Sequence, residues 1–288
     1  MNLKKYLKLI RIKHWIKNGL IFLPLFFSGK FTELDNFTNT ILAFLSFSLG
    51  ASMVYIINDI NDIENDRKHP TKCKRPLASG EIKVKKAYLI LIIFAIATIA
   101  FNGLISIDKI TTWLLLLTYL GSNIVYSLGA KNIALLDITI LVLGYIIRIY
   151  YGATVINVTV SNWLYLTVLF MAFFLGLGKR RNEIEKTGTK SRKVLTVYTK
   201  EFLDKTMYMC LGLTIMSYSL WCEEISKLQG KVSFMFTIPL VVIICMKYSL
   251  DIEKDSDGDP TETLFHDGIL IGLVTLYAIV TLILIYVI

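Results

Sequence analysis

The chain has 288 residues, 55% of them hydrophobic, and its mean hydropathy of +0.59 excludes an ordinary soluble domain and indicates a membrane protein. The formal net charge is +9, but the sequence has no basic stripe interleaved with aromatic residues, so a nucleic-acid partner is not predicted. The positive charge is instead expected to reflect membrane topology and phosphate binding.

Nine apolar segments are long enough to cross about 30 Å of hydrocarbon, and they predict an all-α integral membrane protein with nine transmembrane helices. The first segment contains Pro24, but no small-residue cleavage site follows it, so we expect it to be retained rather than removed as a signal peptide. No low-complexity linker separates the segments, and residues 1–288 are predicted to form a single domain. The predicted spans lie near residues 15–28, 37–57, 87–105, 110–128, 133–152, 162–178, 206–222, 232–249 and 267–288.

The distribution of Lys and Arg predicts the orientation of these helices, because basic residues are retained on the cytoplasmic side. With the N terminus inside and the C terminus outside, the internal segments carry most of the 31 basic residues. We therefore expect the protein in the cytoplasmic (inner) membrane, in contact with its lipids, with the large polar loops facing the cytoplasm. Homo-oligomer formation stays open.

At the N-terminal membrane boundary, residues 11–18 read RIKHWIKN and carry polar side chains into an apolar segment. Trp15 suits the aromatic belt of a membrane interface. Lys17 and Asn18 enter the apolar segment itself, where they could contact an oxyanion. Both are therefore candidate substrate-binding residues.

The end of the second predicted span carries an acidic cluster within residues 55–80, which read YIINDINDIENDRKHPTKCKRPLASG. On a helix, Asn58, Asp59, Asp62 and Asp66 fall within an arc of about 100°, so their side chains are predicted to converge. Ligands that all supply oxygen suit Mg²⁺. The cluster therefore predicts a magnesium site, and the alternative is a solvated helix end with charges scattered by chance.

A basic cluster follows the acidic one and includes Arg67, Lys74 and Arg75. Carboxylates that hold a metal next to cations that hold oxyanions are typical of a diphosphate site. Binding to anionic lipid head groups is the alternative for the cations, but it leaves the carboxylates unexplained.

Three polar residues of the later spans are informative. Arg148 lies within an apolar span, where a lone cation is costly, so we expect it to face the interior of the protein. A phosphate or a polar group of another span is its expected partner, and a structural helix-to-helix salt bridge is the alternative. Asp137 lies about three turns away on the same span and near the cytoplasmic end, where Tyr126 is a further candidate substrate contact.

Two more internal loops carry charge. The loop over residues 178–193 carries Lys179, Arg180 and Glu183 at its start. Glu183 could complete a metal shell, and Lys179 or Arg180 could bind a second phosphate. The alternative is a plain basic boundary. The loop over residues 251–262 is acidic but does not match the ligand spacing of a calcium loop. A solvated loop and a polar lid over a substrate both remain open for it.

Nucleophilic catalysis has no support in the sequence. None of the three histidines has a Ser or Cys partner arranged to activate a nucleophile. The four cysteines show neither a CxxC pair nor a zinc-ligand spacing, so we expect free thiols.

The spacing Asn58-Asp59-x-x-Asp62-x-x-x-Asp66, together with nine spans, resembles the UbiA-type membrane prenyltransferase superfamily. Within it, the sequence is most similar to decaprenyl-phosphate phosphoribosyltransferases. The resemblance implies a nine-helix bundle with a cytoplasmic active site and a Mg²⁺-dependent glycosyltransferase (pentosyltransferase). It further implies transfer of a 5-phosphoribosyl group from phosphoribosyl diphosphate to a polyprenyl phosphate, with release of diphosphate. The strings that carry it are KHWIKN (13–18), residues 58–80, GKRRNE (178–183) and DGDPTE (257–262).

One departure from the wider superfamily bears on the substrates. A second DxxxD motif, usual in members that use prenyl diphosphates, is absent after the sixth span, where Glu183 and Glu185 are the acidic residues. This favours a sugar diphosphate donor and a lipid monophosphate acceptor. The alternative is an aromatic prenyltransferase that moves a polyprenyl chain from prenyl diphosphate to an acceptor such as 4-hydroxybenzoate. A transporter is less favoured, because the charges collect in the loops.

The predicted site residues fall into three groups that partly overlap. The predicted metal ligands are Asn58, Asp59, Asp62 and Asp66. The predicted catalytic residues are Asp59, Asp62, Asp66 and Arg67. The predicted substrate-binding residues are Lys17, Asn18, Asn58, Lys74, Arg75, Tyr126, Arg148, Lys179, Arg180 and Glu183.

Overall fold

The computed structural model describes residues 3–68, 72–105, 108–188, 193–229, 234–253 and 260–287. Across those residues every regular element is a helix, as predicted for an all-α protein. The α-helices are α1 (Leu3–Leu9), α2 (Leu23–Phe27), α3 (Leu34–Asn61), α4 (Ile63–Arg67), α5 (Val84–Leu104), α6 (Lys109–Leu128), α7 (Leu136–Val155), α8 (Asn162–Thr187), α9 (Lys200–Gln229), α10 (Ile238–Glu253), α11 (Pro260–His266) and α12 (Gly268–Tyr286). The 3₁₀ helices are Ile12–Phe22, Lys72–Lys74, Ala130–Asn132, Lys193–Thr196 and Phe234–Thr237.

Six helical segments of the described chain are long and apolar enough to cross a membrane. Their outward side chains are largely aliphatic, as on α5, where Leu89, Ile92 and Ile96 are exposed. The three remaining predicted spans also coincide with helices, although these do not meet both conditions. The count of nine spans therefore stays a prediction. The six segments are Leu34–Asn61, Val84–Leu104, Leu136–Val155, Asn162–Lys186, Phe234–Glu253 and Gly268–Tyr286.

The first predicted span differs from an ordinary membrane helix. Ile12–Phe22 forms a 3₁₀ helix, and α2 continues from it with Pro24 in its first turn. Proline is tolerated there because the first N–H groups of a helix have no intrahelical acceptor. The segment is therefore helical throughout but changes its helical type at Leu23.

The contacts between residues divide the chain into two compact units, and each half of α7 belongs to a different one. The first unit comprises Met1–Leu128 and Ile147–Val158, and the second comprises Gly129–Ile146 and Thr159–Ile288. The single-domain organisation stays a prediction.

In the first unit, the 3₁₀ helix packs closely against α3 and the second half of α7. Trp15 Nε1 donates to Ser52 Oγ over 3.0 Å, and Ser52 Oγ donates to the Ile10 carbonyl over 2.8 Å. A Cβ atom at Gly152 would overlap the backbone carbonyl of Ile21, so only glycine permits this approach. Small residues at helix contacts are typical of membrane proteins, because they let backbones come close.

In the second unit, α8 and α9 pack along each other as an antiparallel pair, with α10 against both. Gly178 lies at this contact, where an added Cβ would be 3.1 Å from Ile252 Cδ1 and 3.2 Å from Met207 Sδ. The buried core of the unit includes Phe174 and Leu203 as well. The tight packing fixes the end of α8, which carries the charged residues of the second internal loop.

Candidate active site

The acidic cluster lies where α3 ends and α4 begins. Asp62 separates the two helices with φ −97° and ψ 7°, outside helical geometry. The hydrogen bonds nevertheless continue across it, since Asp62 N donates to Asn58 O over 2.9 Å and Asp66 N donates to Asp62 O over 2.8 Å. The predicted continuous helix is therefore broken at Asp62, although its backbone hydrogen bonding continues past this residue.

Two carboxylates of the cluster are buried and share one arginine. Asp59 and Asp66 are 3% and 4% exposed. Arg75 Nη1 lies 3.2 Å from Asp59 Oδ1 and 2.6 Å from Asp66 Oδ2, so it bridges them. Arg11 Nη2 donates to the same Asp59 oxygen over 2.7 Å. Buried carboxylates need such cations, because an unpaired buried charge is strongly destabilising.

The other predicted residues of this segment are more exposed. Asp62 and Asn58 are half-buried, and Asn58 lines a small pocket with Asn61 and other residues of α3 and α6. Arg67 forms a surface ion pair with Glu64 over 2.8 Å, and its Nε donates to the Ala78 carbonyl over 3.3 Å. Lys74 is exposed. Of the predicted catalytic residues, the structure therefore brings Asp59 and Asp66 together and places Arg67 at the surface.

A divalent cation fits the donor chemistry of this cluster. No three His, Cys, Asp or Glu side chains within the described part of the chain stand close enough to hold a metal ion. However, the guanidinium of Arg75 already occupies a cation position between Asp59 and Asp66. Mg²⁺ is commonly held by one or two protein carboxylates, with water and substrate phosphates as its other ligands. Asp59 and Asp66 could therefore supply two carboxylate ligands, and the metal site that they form with Asn58 and Asp62 stays a prediction.

Asn18 and Arg148 meet in the interior of the first unit. Arg148 Nε donates to Asn18 Oδ1 over 2.7 Å, and Asn18 Nδ2 donates to Ser48 Oγ over 2.9 Å. The guanidinium lies 4.9 Å from the ring centroids of both Phe47 and Tyr119. Arg148 thus faces the interior, among polar and aromatic groups from other helices. The further candidates Lys17 and Tyr126 are half-buried.

In the second unit, Arg180 is a fully buried arginine. Its Nε donates to Asp137 Oδ2 over 2.6 Å, and its Nη1 donates to Glu183 Oε2 over 2.8 Å. Tyr198 donates to the other Asp137 oxygen over 2.7 Å. Arg180 and Glu183, both predicted substrate contacts, therefore pair with each other inside this unit, and Lys179 beside them is half-buried.

The Tyr198 hydroxyl connects this network to a strained turn. The Leu135 N–H donates to it over 2.6 Å, and Leu135 has φ 67°, a left-handed conformation that is rare outside glycine. Burial, together with the hydrogen bond to the Asp137 carboxylate, raises the pKa of Tyr198 to about 12. The hydroxyl therefore stays protonated and keeps donating to Asp137 at any physiological pH.

The third internal loop is described only at its ends. Asp255, Asp257 and Asp259, which the sequence suggests as parts of a lid, lie outside the described residues. On the preceding helix, Lys247 forms ion pairs with Asp251 and with Asp267, the N-cap of α12.

Sequence reasoning missed two contributors to these clusters, Arg11 and Tyr198. Arg11 stands only two residues before the KHWIKN string, so its position next to a suspected phosphate-binding segment was a usable signal. No local pattern indicates that Tyr198 contacts Asp137, because 61 residues separate them.

Comparison with known proteins identifies relatives along nearly the whole chain. The pattern of the UbiA prenyltransferase family matches residues 22–286. The decaprenyl-phosphate phosphoribosyltransferase of Mycobacterium tuberculosis is 30% identical over 270 residues, which cover 91% of this chain and 88% of the relative. The enzyme of the same name from Corynebacterium glutamicum is 30% identical over 274 residues, covering 92% and 81%. A UbiA homolog from Archaeoglobus fulgidus, solved with GPP and Mg²⁺ bound, superimposes with a TM-score of 0.69 at 22% identity, covering 96% and 99%.

Proposed function

Because the chain belongs to the UbiA prenyltransferase family and is therefore a membrane transferase, we propose that it transfers a 5-phosphoribosyl group from phosphoribosyl diphosphate to a polyprenyl phosphate. The observation that supports this most is the pair of buried carboxylates, Asp59 and Asp66, bridged by Arg75. Such a pair offers oxygen ligands to a metal and, directly beside them, a guanidinium for phosphate oxygens.

The donor diphosphate is the group that this cluster would bind. Asp59 and Asp66, together with the predicted ligands Asn58 and Asp62, would hold Mg²⁺, which when bound would neutralise the charge that develops on the leaving diphosphate. Arg75 would donate N–H groups to the same phosphate oxygens. Lys74 and Arg67, at the rim of the cluster, would add positive charge.

The acceptor explains why the sequence contains no activated nucleophile. A lipid phosphate is already anionic, so its oxygen can attack C1 of the ribose without a strong general base. The bond from C1 to the diphosphate breaks as the new C1–oxygen bond forms, and the diphosphate leaves with the electron pair. Lys17, Lys179 and Tyr126 stay candidate contacts of the two phosphate groups, and the apolar spans would hold the polyprenyl tail.

The membrane arrangement belongs to the same proposal. Nine spans, with the N terminus inside and the C terminus outside, would place the acidic cluster at the cytoplasmic face of the inner membrane. A soluble phosphorylated donor is accessible from that face.

A product assay tests the proposal against its rival. Purified protein with Mg²⁺ is incubated either with phosphoribosyl diphosphate and polyprenyl phosphate, or with prenyl diphosphate and 4-hydroxybenzoate, and the lipid product is identified. We expect phosphoribosyl lipid from the first mixture. Prenylated ring from the second mixture, with no phosphoribosyl lipid from the first, would reverse the assignment.

A matched pair of variants ties that activity to the cluster. Asp66→Asn removes a buried carboxylate that contacts Arg75, and we expect it to abolish product formation. Glu64→Gln changes an exposed carboxylate on the same short helix, and we expect it to leave the rate near that of the unmodified protein. Equal rates for the two variants would separate the activity from this cluster.

A further inference from the structure

Arg11 contacts Asp59 although 48 residues separate them in the chain. Its Nη2 donates to Asp59 Oδ1 over 2.7 Å, and its guanidinium lies 4.4 Å from the centroid of the Tyr55 ring. The backbone of Arg11 has φ 53° and ψ 49°, a left-handed conformation that L-residues other than glycine rarely adopt. The side chain therefore makes both contacts from a backbone conformation that the surrounding structure has to stabilise.

The 3₁₀ helix that follows fixes the position of this arginine. Trp15 is hydrogen-bonded to Ser52 of α3, and Asn18 is hydrogen-bonded to Ser48 of the same helix. Arg11 directly precedes the 3₁₀ helix as its N-cap residue. Its side chain consequently starts from a backbone that is anchored to the helix that carries Asp59.

Two guanidinium groups share one oxygen of Asp59. Arg75 and Arg11 both contact Oδ1, and Arg75 contacts Asp66 as well. In the absence of a metal, these two cations balance the two buried carboxylates, which could not otherwise remain charged at low cost. A divalent cation bound by the same oxygen would supply that positive charge and repel the guanidinium next to it.

We infer that Arg11 is a positioning residue for the metal and diphosphate site: it holds the Asp59 carboxylate in place until a divalent cation binds, and then releases it. The inference deepens the proposed function and rests on its metal site. The Tyr55 ring keeps the released guanidinium near the cluster, because a cation is attracted to the face of an aromatic ring. From there its N–H groups can turn to the oxygens of the bound diphosphate.

The experiment measures the thermal stability of the full-length, detergent-purified protein while Mg²⁺ alone is titrated, without donor or acceptor. Arg11→Gln removes the cation and keeps a polar side chain. Lys13→Gln is the matched control, because it removes one positive charge from an exposed position of the same segment. Arg11→Lys keeps the charge but lacks the planar guanidinium group. It can replace the Gln variant in the titration if that variant yields too little folded protein.

Without metal, we expect Arg11→Gln to melt at a lower temperature than the unmodified protein and Lys13→Gln. Saturating Mg²⁺ should raise its melting temperature by more than it raises that of the other two, so that the difference shrinks. The Mg²⁺ concentration giving half of this shift should fall several-fold in Arg11→Gln, because a competing cation is gone. Arg11→Lys should lie between Arg11→Gln and the unmodified protein.

Equal Mg²⁺-induced shifts in all four proteins would overturn the inference, since Arg11 and the metal would then not share Asp59. A lower melting temperature of Arg11→Gln that Mg²⁺ does not recover would also overturn it, because the role would then be purely structural. No Mg²⁺-induced shift in any protein would overturn it as well.

Turnover by the unmodified protein, measured in parallel with phosphoribosyl diphosphate and polyprenyl phosphate, separates the two proposals. Equal shifts with normal turnover reject only the role of Arg11. A larger shift in Arg11→Gln with no phosphoribosyl lipid rejects the substrates and keeps that role.

Discussion

Each unit of the molecule contains buried aspartate paired with arginine, but the two clusters differ in how deeply the arginine lies. In the second unit, Arg180 and Asp137 have side chains that are 1% and 0% exposed. In the first unit, the Asp59 side chain is 3% exposed, while those of Arg11 and Arg75 are 22% and 27% exposed. The carboxylates are similarly buried, so the two clusters differ mainly in how accessible the arginine is. The proposed exchange of Arg11 for a metal needs an accessible cation, and the Arg180–Asp137 pair has none.

Neutralising Arg180 should cause the largest loss of stability. Arg180→Met leaves Asp137 buried without its cation, and breaking such a pair typically costs about 3–5 kcal/mol of unfolding free energy. Thermal or denaturant unfolding in detergent measures the loss. Adding Asp137→Leu should recover much of it, because an apolar pair avoids the desolvation of both charges. A stable but inactive Arg180→Met protein would contradict the distinction between the two clusters, since Arg180 would then act in the reaction and not in the fold.

Replacing Asp62 should affect turnover far more than stability. Asp62 is half-buried at the junction of α3 and α4. As a predicted metal ligand, it would help to hold the cation that neutralises the charge on the leaving diphosphate. Asp62→Asn should lower the rate at saturating Mg²⁺ by about 10²- to 10³-fold, the scale typical of losing one electrostatic contact in a transition state. Near-normal turnover with an unchanged melting temperature would show that Asp62 is not a metal ligand.

A methyl group at Gly152 should disturb the first unit in particular. The new Cβ would collide with the Ile21 carbonyl, and overpacking of this kind costs about 1–3 kcal/mol. Gly121→Ala in α6 is the control: its Cβ would meet no atom within 4 Å, and Ala favours the helix. Melting curves of the two variants should therefore shift in opposite directions or by clearly different amounts. Equal shifts in melting temperature would show that the close approach of α7 to the 3₁₀ helix does not contribute to stability.

The smallest effect is expected from Tyr198→Phe, which keeps the ring and removes the hydroxyl that donates to Asp137 and accepts from the Leu135 N–H. Each of these hydrogen bonds contributes about 1 kcal/mol. The pKa of Tyr198 is raised from 10 in the unfolded chain to about 12 in the fold, so the contribution of its protonated form is complete below pH 10 and is lost as the pH rises towards 12. The stability difference between this variant and the unmodified protein should shrink over that interval. A constant difference up to pH 12 would contradict the assignment.

The sequence allowed the all-α membrane fold, the family and the composition of the acidic cluster to be predicted, because each depends on patterns within one segment. Helical spacing predicted that Asp59 and Asp66 lie near each other. In the structure, one nitrogen of Arg75 contacts both carboxylates. The partner of Arg180 was not predictable, since Asp137 is 43 residues away and both charges become buried only when α7 packs against α8. Arg11 was missed for the same physical reason, as its pairing depends on the tertiary position of the N-terminal segment.

The 3₁₀ helix at Ile12–Phe22 also sets a length match with α3. Three residues of a 3₁₀ helix advance about 6 Å, as do four residues of an α-helix. Trp15 and Asn18 are three apart, and their partners Ser52 and Ser48 are four apart in the opposite direction. Three residues of the 3₁₀ helix therefore match four residues of α3 in length, which fixes the pairing of Trp15 with Ser52 and of Asn18 with Ser48. Conservative substitutions along the contact leave this pairing intact. Deleting or inserting one residue in the 3₁₀ helix would slide Arg11 along α3 and away from Asp59.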